Sequence, residues 1–227
     1  MSSKKQLLAP APELRRVPTQ RPGPAGGKRD QNRRRRLTDL CDAALALFLE
    51  RGIEAVTVDE IARAAGMAKG NFYRYVEDKR DLVAALLAPL EAALDAAMDR
   101  CEAATTAATE VPALNAAYLA LALDLIKAYQ GHRDVVRLYL QEARAPGVGA
   151  RAPVEQLERR LTSRTVALTV VAHDHQLLGK IQPEVSALAV IGAAERLLLA
   201  HLRDGLFANE AQIAASLVRM VMEGITG

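Results

Sequence analysis

The stretch that constrains this chain most is Thr57 to Lys79, TVDEIARAAGMAKGNFYRYVEDK. Thr57-Val58-Asp59-Glu60 is a capping box: the threonine hydroxyl and the glutamate carboxylate each take a backbone amide that a helix start would leave orphaned. Ile61, Ala62 and Ala65 give the helix so opened a narrow inner face, over which a second helix can cross closely at a steep angle. Gly66 takes the turn, where a left-handed backbone costs little only without a Cβ. Met67 and Phe72 then point inward, which leaves Lys69, Gly70, Asn71, Tyr73 and Arg74 outward. Two short helices crossing at a glycine turn, with donors gathered on the second, form a unit able to place one helix in the major groove of DNA.

The outward residues suit that task. Lysine and arginine pair with guanine acceptors, and asparagine can bond adenine bidentately. Gly70 lets the backbone come near base edges, and Tyr73 offers a hydroxyl to a phosphate oxygen. Asp78 caps the next helix, and Lys79 in its first turn adds an ammonium to free amides, a combination that seats phosphate. Upstream, a helix from about Arg33 to Gly52 carries Leu40, Ala44, Leu47 and Phe48 on one face. Its first turn holds Arg33, Arg34, Arg35 and Arg36, where the macrodipole disfavours cations; a phosphate backbone would offset that cost.

Half of the 227 residues are apolar, Ala and Leu dominate, and aromatics make up only 4%. No window alternates with period two, so the expected fold is all-α: a three-helix N-terminal head followed by a larger helical domain. The net charge of +3 hides an asymmetry, because residues 1–36 hold eleven cations against Glu13 and Asp30. That segment is +9, leaving −6 for the remainder, as expected of a cationic arm that meets a polyanion. Residues 1–32, rich in Pro and Gly, are expected to be a disordered basic arm. No apolar core of a secretory signal follows its charges, and no unbroken run reaches the ~18 apolar residues that span a bilayer. Cys41 and Cys101 lack a CxxC partner and read as buried thiols in a reducing cytoplasm.

With the helix before it, Thr57 to Lys79 resembles the DNA-binding domain of TetR-type (tetracycline-repressor-like) transcriptional regulators. The resemblance is carried by Thr57, Ile61-Ala62, Ala65-Gly66-Met67, Gly70, Phe72-Tyr73, Tyr75 and the Lys79-to-Leu82 pair. Ala68 departs from it where the family often has a phosphate-binding hydroxyl, and Val76 stands for a frequent Phe. The resemblance implies base reading by Lys69, Gly70 and Asn71 and phosphate contacts by Thr57, Tyr73 and Lys79. Behind the basic arm at 1–32, it implies a DNA-binding domain at 33–82 and a helical ligand-binding and dimerisation domain at 83–227.

In that last region Asp78 to about Ala104 reads as one helix containing Pro89, whose missing amide frees the Ala85 carbonyl. The bend is either a hinge between domains or a static curve around the core. Pro112 opens a fifth helix with Leu114, Tyr118, Leu121, Leu125 and Tyr129 on one stripe, and His132 to Ala145 forms a sixth. These helices can enclose an apolar pocket for a small molecule, with Tyr118, Tyr129, Tyr139 and His173 as its polar handles. Val154, Leu157, Leu161, Leu168 and Val171, then Leu188, Ile191, Leu197 and Leu198, mark helices at about 153–178 and 183–204 that would pair twofold in a homodimer. A final helix, Asn209 to Gly224, is expected to pack outside that bundle.

No nucleophile beside a base and no metal-ligand set is present: His173 and His175, at i and i+2, lie on different helix sides. The sequence therefore points away from an enzyme, a cofactor, a metal site and a membrane protein. It points toward a dimeric regulator of double-stranded DNA, a repressor on a pseudo-palindromic operator, answering to an unidentified small molecule. A module of the same fold that works through a protein partner, or binds DNA without an inducer, remains the alternative.

Overall fold

The computed structural model describes residues 27–178, 182–205, 207 and 209–225. Among these, all regular structure is helical: α1 (Lys28–Arg51), α2 (Val58–Ala64), α3 (Lys69–Phe72), α4 (Lys79–Ala107), α5 (Val111–Gly131), α6 (Arg133–Glu142), α7 (Ala152–Asp174), α8 (Pro183–Asp204) and α9 (Glu210–Ile225), with a 3₁₀ turn at Gly149–Arg151 before α7. The cationic arm upstream of Gly27 lies outside the described residues.

The head is built as its residues dictate. Leu40, Ala44 and Phe48 of α1, Ile61 of α2, Phe72 of α3 and Leu82 of α4 are fully buried together. Gly52 ends α1 at φ 83° and Gly66 turns the chain at φ 67°, both in the left-handed region that favours glycine. α1 begins five residues earlier than the expected Arg33, so residues 28–32 are helical rather than part of a loose arm. Asp30 in its first turn favours the dipole and pairs with Arg34 at 3.0 Å.

The head does not stand apart from the rest. Its core continues along α4 through Leu86, Leu87 and Leu90 into Leu138 and Tyr139 of α6 and Val154 and Leu157 of α7. α4 runs unbroken through Pro89, which is exposed, and packs along α5 and α7. One expectation changes here: Val154 and Leu157, assigned to an association surface, are each only 1% exposed in the main core. α9 packs on α5 and α8 and lines a cavity with them. A stripe that must be covered looks the same in sequence whether the cover is a neighbouring helix or a second subunit.

α5 and α8 are long and apolar enough, by length and composition, to cross a bilayer. Counting unbroken apolar runs missed them, because Asp124 and Lys127 interrupt α5 and Glu195 and Arg196 interrupt α8. Both helices line the interior cavity and pack on other helices of the bundle.

Candidate nucleic-acid interface and interior cavity

The capping box forms as its spacing requires. Glu60 N donates to Thr57 Oγ1 (3.3 Å), and Thr57 N and Oγ1 donate to Glu60 Oε2 at 2.8 and 2.7 Å. Arg51 at the end of α1 donates to the other Glu60 oxygen at 2.8 Å. Arg51 and the Thr57 donors hold the Glu60 carboxyl down at about 2, so the cap stays ionised across neutral and mildly acidic pH. The Thr57 hydroxyl proton is thereby directed inward to Glu60.

α3 presents what the pattern promised. Lys69, Gly70, Asn71, Tyr73 and Arg74 are all exposed while Phe72 between them is fully buried. Phe72 meets Tyr73 edge-on with ring centroids 5.3 Å apart, so the buried ring props the exposed one. A Cβ at Gly70 would meet nothing within 4 Å, so the bulk missing there is missing from the outer surface. Arg33, Arg34, Arg35 and Arg36 are exposed along the second turn of α1, with Arg36 paired to Asp39 at 3.5 Å.

Lys79 is used differently from the expectation of a phosphate seat. Its ammonium donates to the carbonyls of Ile53 (2.8 Å), Glu54 (3.2 Å) and Val56 (2.9 Å) and is 17% exposed. The start of α4 is likewise occupied: Asp78 accepts from Asp81 N at 2.8 Å, and Asp81 accepts from Glu77 N at 3.0 Å. These carboxylates cap the turn before α4, and Lys79 closes the loop between α1 and α2.

That loop is held from the other side by a contact that no spacing in the chain marks. Glu142, at the end of α6 and 4% exposed, accepts from Ile53 N at 3.3 Å and from Gln141 at 3.2 Å through Oε1. Its Oε2 accepts from Arg151 Nε at 2.5 Å, and Gln141 also donates to the Phe48 carbonyl at 3.2 Å. A Cβ at Gly52 would come within 3.2 Å of Glu142 Oε1, a second reason for glycine there. On α6 the spacing marks only Val135, Leu138 and Tyr139 as inward; a glutamate beyond them looks like solvated surface.

The interior cavity, about 230 Å³, lies between α5, α7, α8 and α9. It sits at the small end for ligand sites, which commonly span ~300–1,000 Å³. Of the four expected handles, Tyr118 and Tyr129 line it. Tyr139 and His173 do not: the Tyr139 hydroxyl donates to Glu195 on α8 at 2.8 Å, and His173 is exposed near the end of α7. The Tyr129 hydroxyl is buried with no hydrogen-bond partner. Glu210 at the first turn of α9 also lines the cavity, and was missed because α9 was not among the helices expected to enclose it. Of the two thiols, Cys101 is buried and Cys41 half-buried; burial, then Asp42, pushes the Cys41 thiol up to about 11.

Residues 40–86 match the family described as "Bacterial regulatory proteins, tetR family". The HTH-type transcriptional repressor KstR2 of Rhodococcus jostii is 41% identical over 66 residues, 29% of this chain and 31% of that repressor. The chain thus aligns with less than a third of that relative's length. Among solved structures, NalD of Pseudomonas aeruginosa, the secondary repressor of the MexAB-OprM multidrug efflux pump, superposes with a TM-score of 0.67 at 17% identity. The match covers 86% of this chain and 98% of that one. The transcriptional regulator FadR of Bacillus subtilis, solved with stearoyl-CoA, gives 0.63 at 14% identity, over 83% of this chain and 98% of its own. At those identities the likeness speaks for the fold alone.

Proposed function

We propose that this chain, whose residues 40–86 match the TetR-type regulators, is a homodimeric, ligand-responsive transcriptional repressor acting on a pseudo-palindromic operator in the cytoplasm. The observation that carries this is the exposed Lys69-Gly70-Asn71 set on α3, held outward by buried Phe72 after the Gly66 turn. Tyr73 and Arg74 beside it, and Arg33 to Arg36 on α1, supply phosphate contacts. Thr57 and Lys79 act by fixing α2 and the loop before it; their donors are committed within the head.

The second half supplies the control. α8 leaves Val185 and Leu188 more than half exposed, and Val170 on α7 is also exposed, an apolar surface that a second copy of the chain would bury. The cavity is the effector site, and domains at 33–82 and 83–227 divide the labour, joined by a shared core rather than a free linker. α6 offers a route between them. Tyr139 ties it to α8 at the cavity wall, and Glu142 ties it to the loop of the head. An effector that binds one head spacing better than another would shift the population away from the DNA-fitting state.

A footprint on the DNA upstream of its own gene is the direct test. Two protected half-sites about one helical turn apart are expected; no protection at any salt concentration would instead favour action through a protein partner. Deleting residues 1–26 is expected to flatten the dependence of log affinity on log salt by about 0.9 per lost phosphate contact. An unchanged slope would mean that the cations of the arm do not touch DNA.

A further inference from the structure

The cavity wall is apolar almost throughout, and Glu210 is the one charged residue among the described residues that line it. Thr165 and Thr169, the hydroxyls on the α7 side, donate to their own helix's carbonyls at 2.8 and 2.9 Å. Ser186 on α8 and Tyr118 on α5 also line the wall, but the one charge is that of Glu210. Tyr129, 5% exposed, has a hydroxyl that meets no partner at hydrogen-bonding geometry and lies within electrostatic reach of Arg133 and of Glu210. Its own backbone amide at the start of α9, then His201 and Gln130, hold the Glu210 carboxyl below the usual range, so it is charged at neutral pH. His201 Nε2 stands 3.5 Å from Glu210 Oε1, and Arg133, also near Tyr129, is exposed and does not line the cavity.

Accepting the cavity as the effector site, we propose that its ligand is an elongated apolar molecule ending in a protonated amine, with the ammonium seated between the Glu210 carboxylate and the Tyr129 hydroxyl. Three end groups compete for that position. A carboxylate or phosphate would meet Glu210 as a like charge. An alcohol could donate one hydrogen bond but would bring no positive charge to the Glu210 carboxylate, whose side chain is 27% exposed. An ammonium donates up to three hydrogen bonds, one to the carboxylate and one to the lone pairs of the tyrosine oxygen, and neutralises the charge.

Calorimetric titration of the full chain with decylamine, decanol and decanoate, matched in alkyl length, separates these cases. Decylamine is expected to saturate one site per protomer at least tenfold more tightly than decanoate. Glu210→Gln should weaken decylamine by about tenfold or more, the scale of one hydrogen bond to a charged group, while decanol binding stays within about twofold and reports that the cavity is intact. Decanoate binding as tightly as decylamine, or an amine preference that survives Glu210→Gln, would overturn the assignment. If all three probes bind alike and release operator DNA, the cavity remains the effector site and the amine preference alone fails. If none binds a wild-type chain that still holds its operator, both assignments fall.

Discussion

Replacing Arg151 with alanine is expected to cost about 3 kcal/mol of unfolding free energy, the low end of what breaking a buried ion pair costs. The reason lies in what stays behind. Glu142 is 4% exposed, and losing Arg151 strips its Oε2 of the charged donor and leaves the buried carboxyl only Ile53 N and Gln141, on its other oxygen. Arg151 itself is 23% exposed, so water offsets part of the loss and the effect should not reach the top of the range. Urea unfolding at a fixed protomer concentration is the measurement, since the stability of the proposed dimer would depend on concentration. Adding Glu142→Leu should recover part of the loss. The charge then goes, and the remaining penalty is the amide of Ile53 without its acceptor, about 1–3 kcal/mol. A loss below about 1 kcal/mol in the single variant would place this pair with ordinary surface ion pairs and remove the basis for treating α6 as a strut to the head.

The strut also shows where sequence legibility stops. Capping box, glycine turn and buried Phe72 are local: each is set by residues within a few positions of one another, so spacing alone identifies them. Outward Lys69 and Asn71 follow from the same helical period. Glu142 and Ile53 are 89 positions apart, and no period links them. Lys79 was legible as a cation at a helix start, which is chemically right for phosphate. What the local pattern could not show is that the loop between α1 and α2 turns three carbonyls toward that ammonium. The cavity was half legible for a related reason. Tyr118 and Tyr129 share a stripe with Leu121 and Leu125 on α5 and could be placed together. Glu210 enters from another helix, and its role depends on how α9 folds back across α5.

Alanine at Lys69 or Asn71 should weaken operator binding by at least about thirtyfold for each variant. A good base contact is worth about 1–3 kcal/mol of discrimination, and in a symmetric dimer each substitution removes it twice, roughly 2–6 kcal/mol per bound dimer. The two should differ from changes at Tyr73 or Arg74 in kind as well as size. Losing Asn71 should relax the preference at one base pair in each half-site, whereas Arg74→Ala should lower affinity for all sequences and reduce the salt slope by about one unit. Titrating each variant against an operator selected from a random duplex pool, and against single-base changes of it, distinguishes these patterns. Unfolding supplies the control: Lys69, Asn71 and Arg74 are exposed, so their alanine variants should melt with the parent protein. Wild-type affinity and base preference in both Lys69→Ala and Asn71→Ala would show that α3 does not read the bases. Specificity would then have to come from DNA shape, read through the α1 arginines and the arm ahead of them.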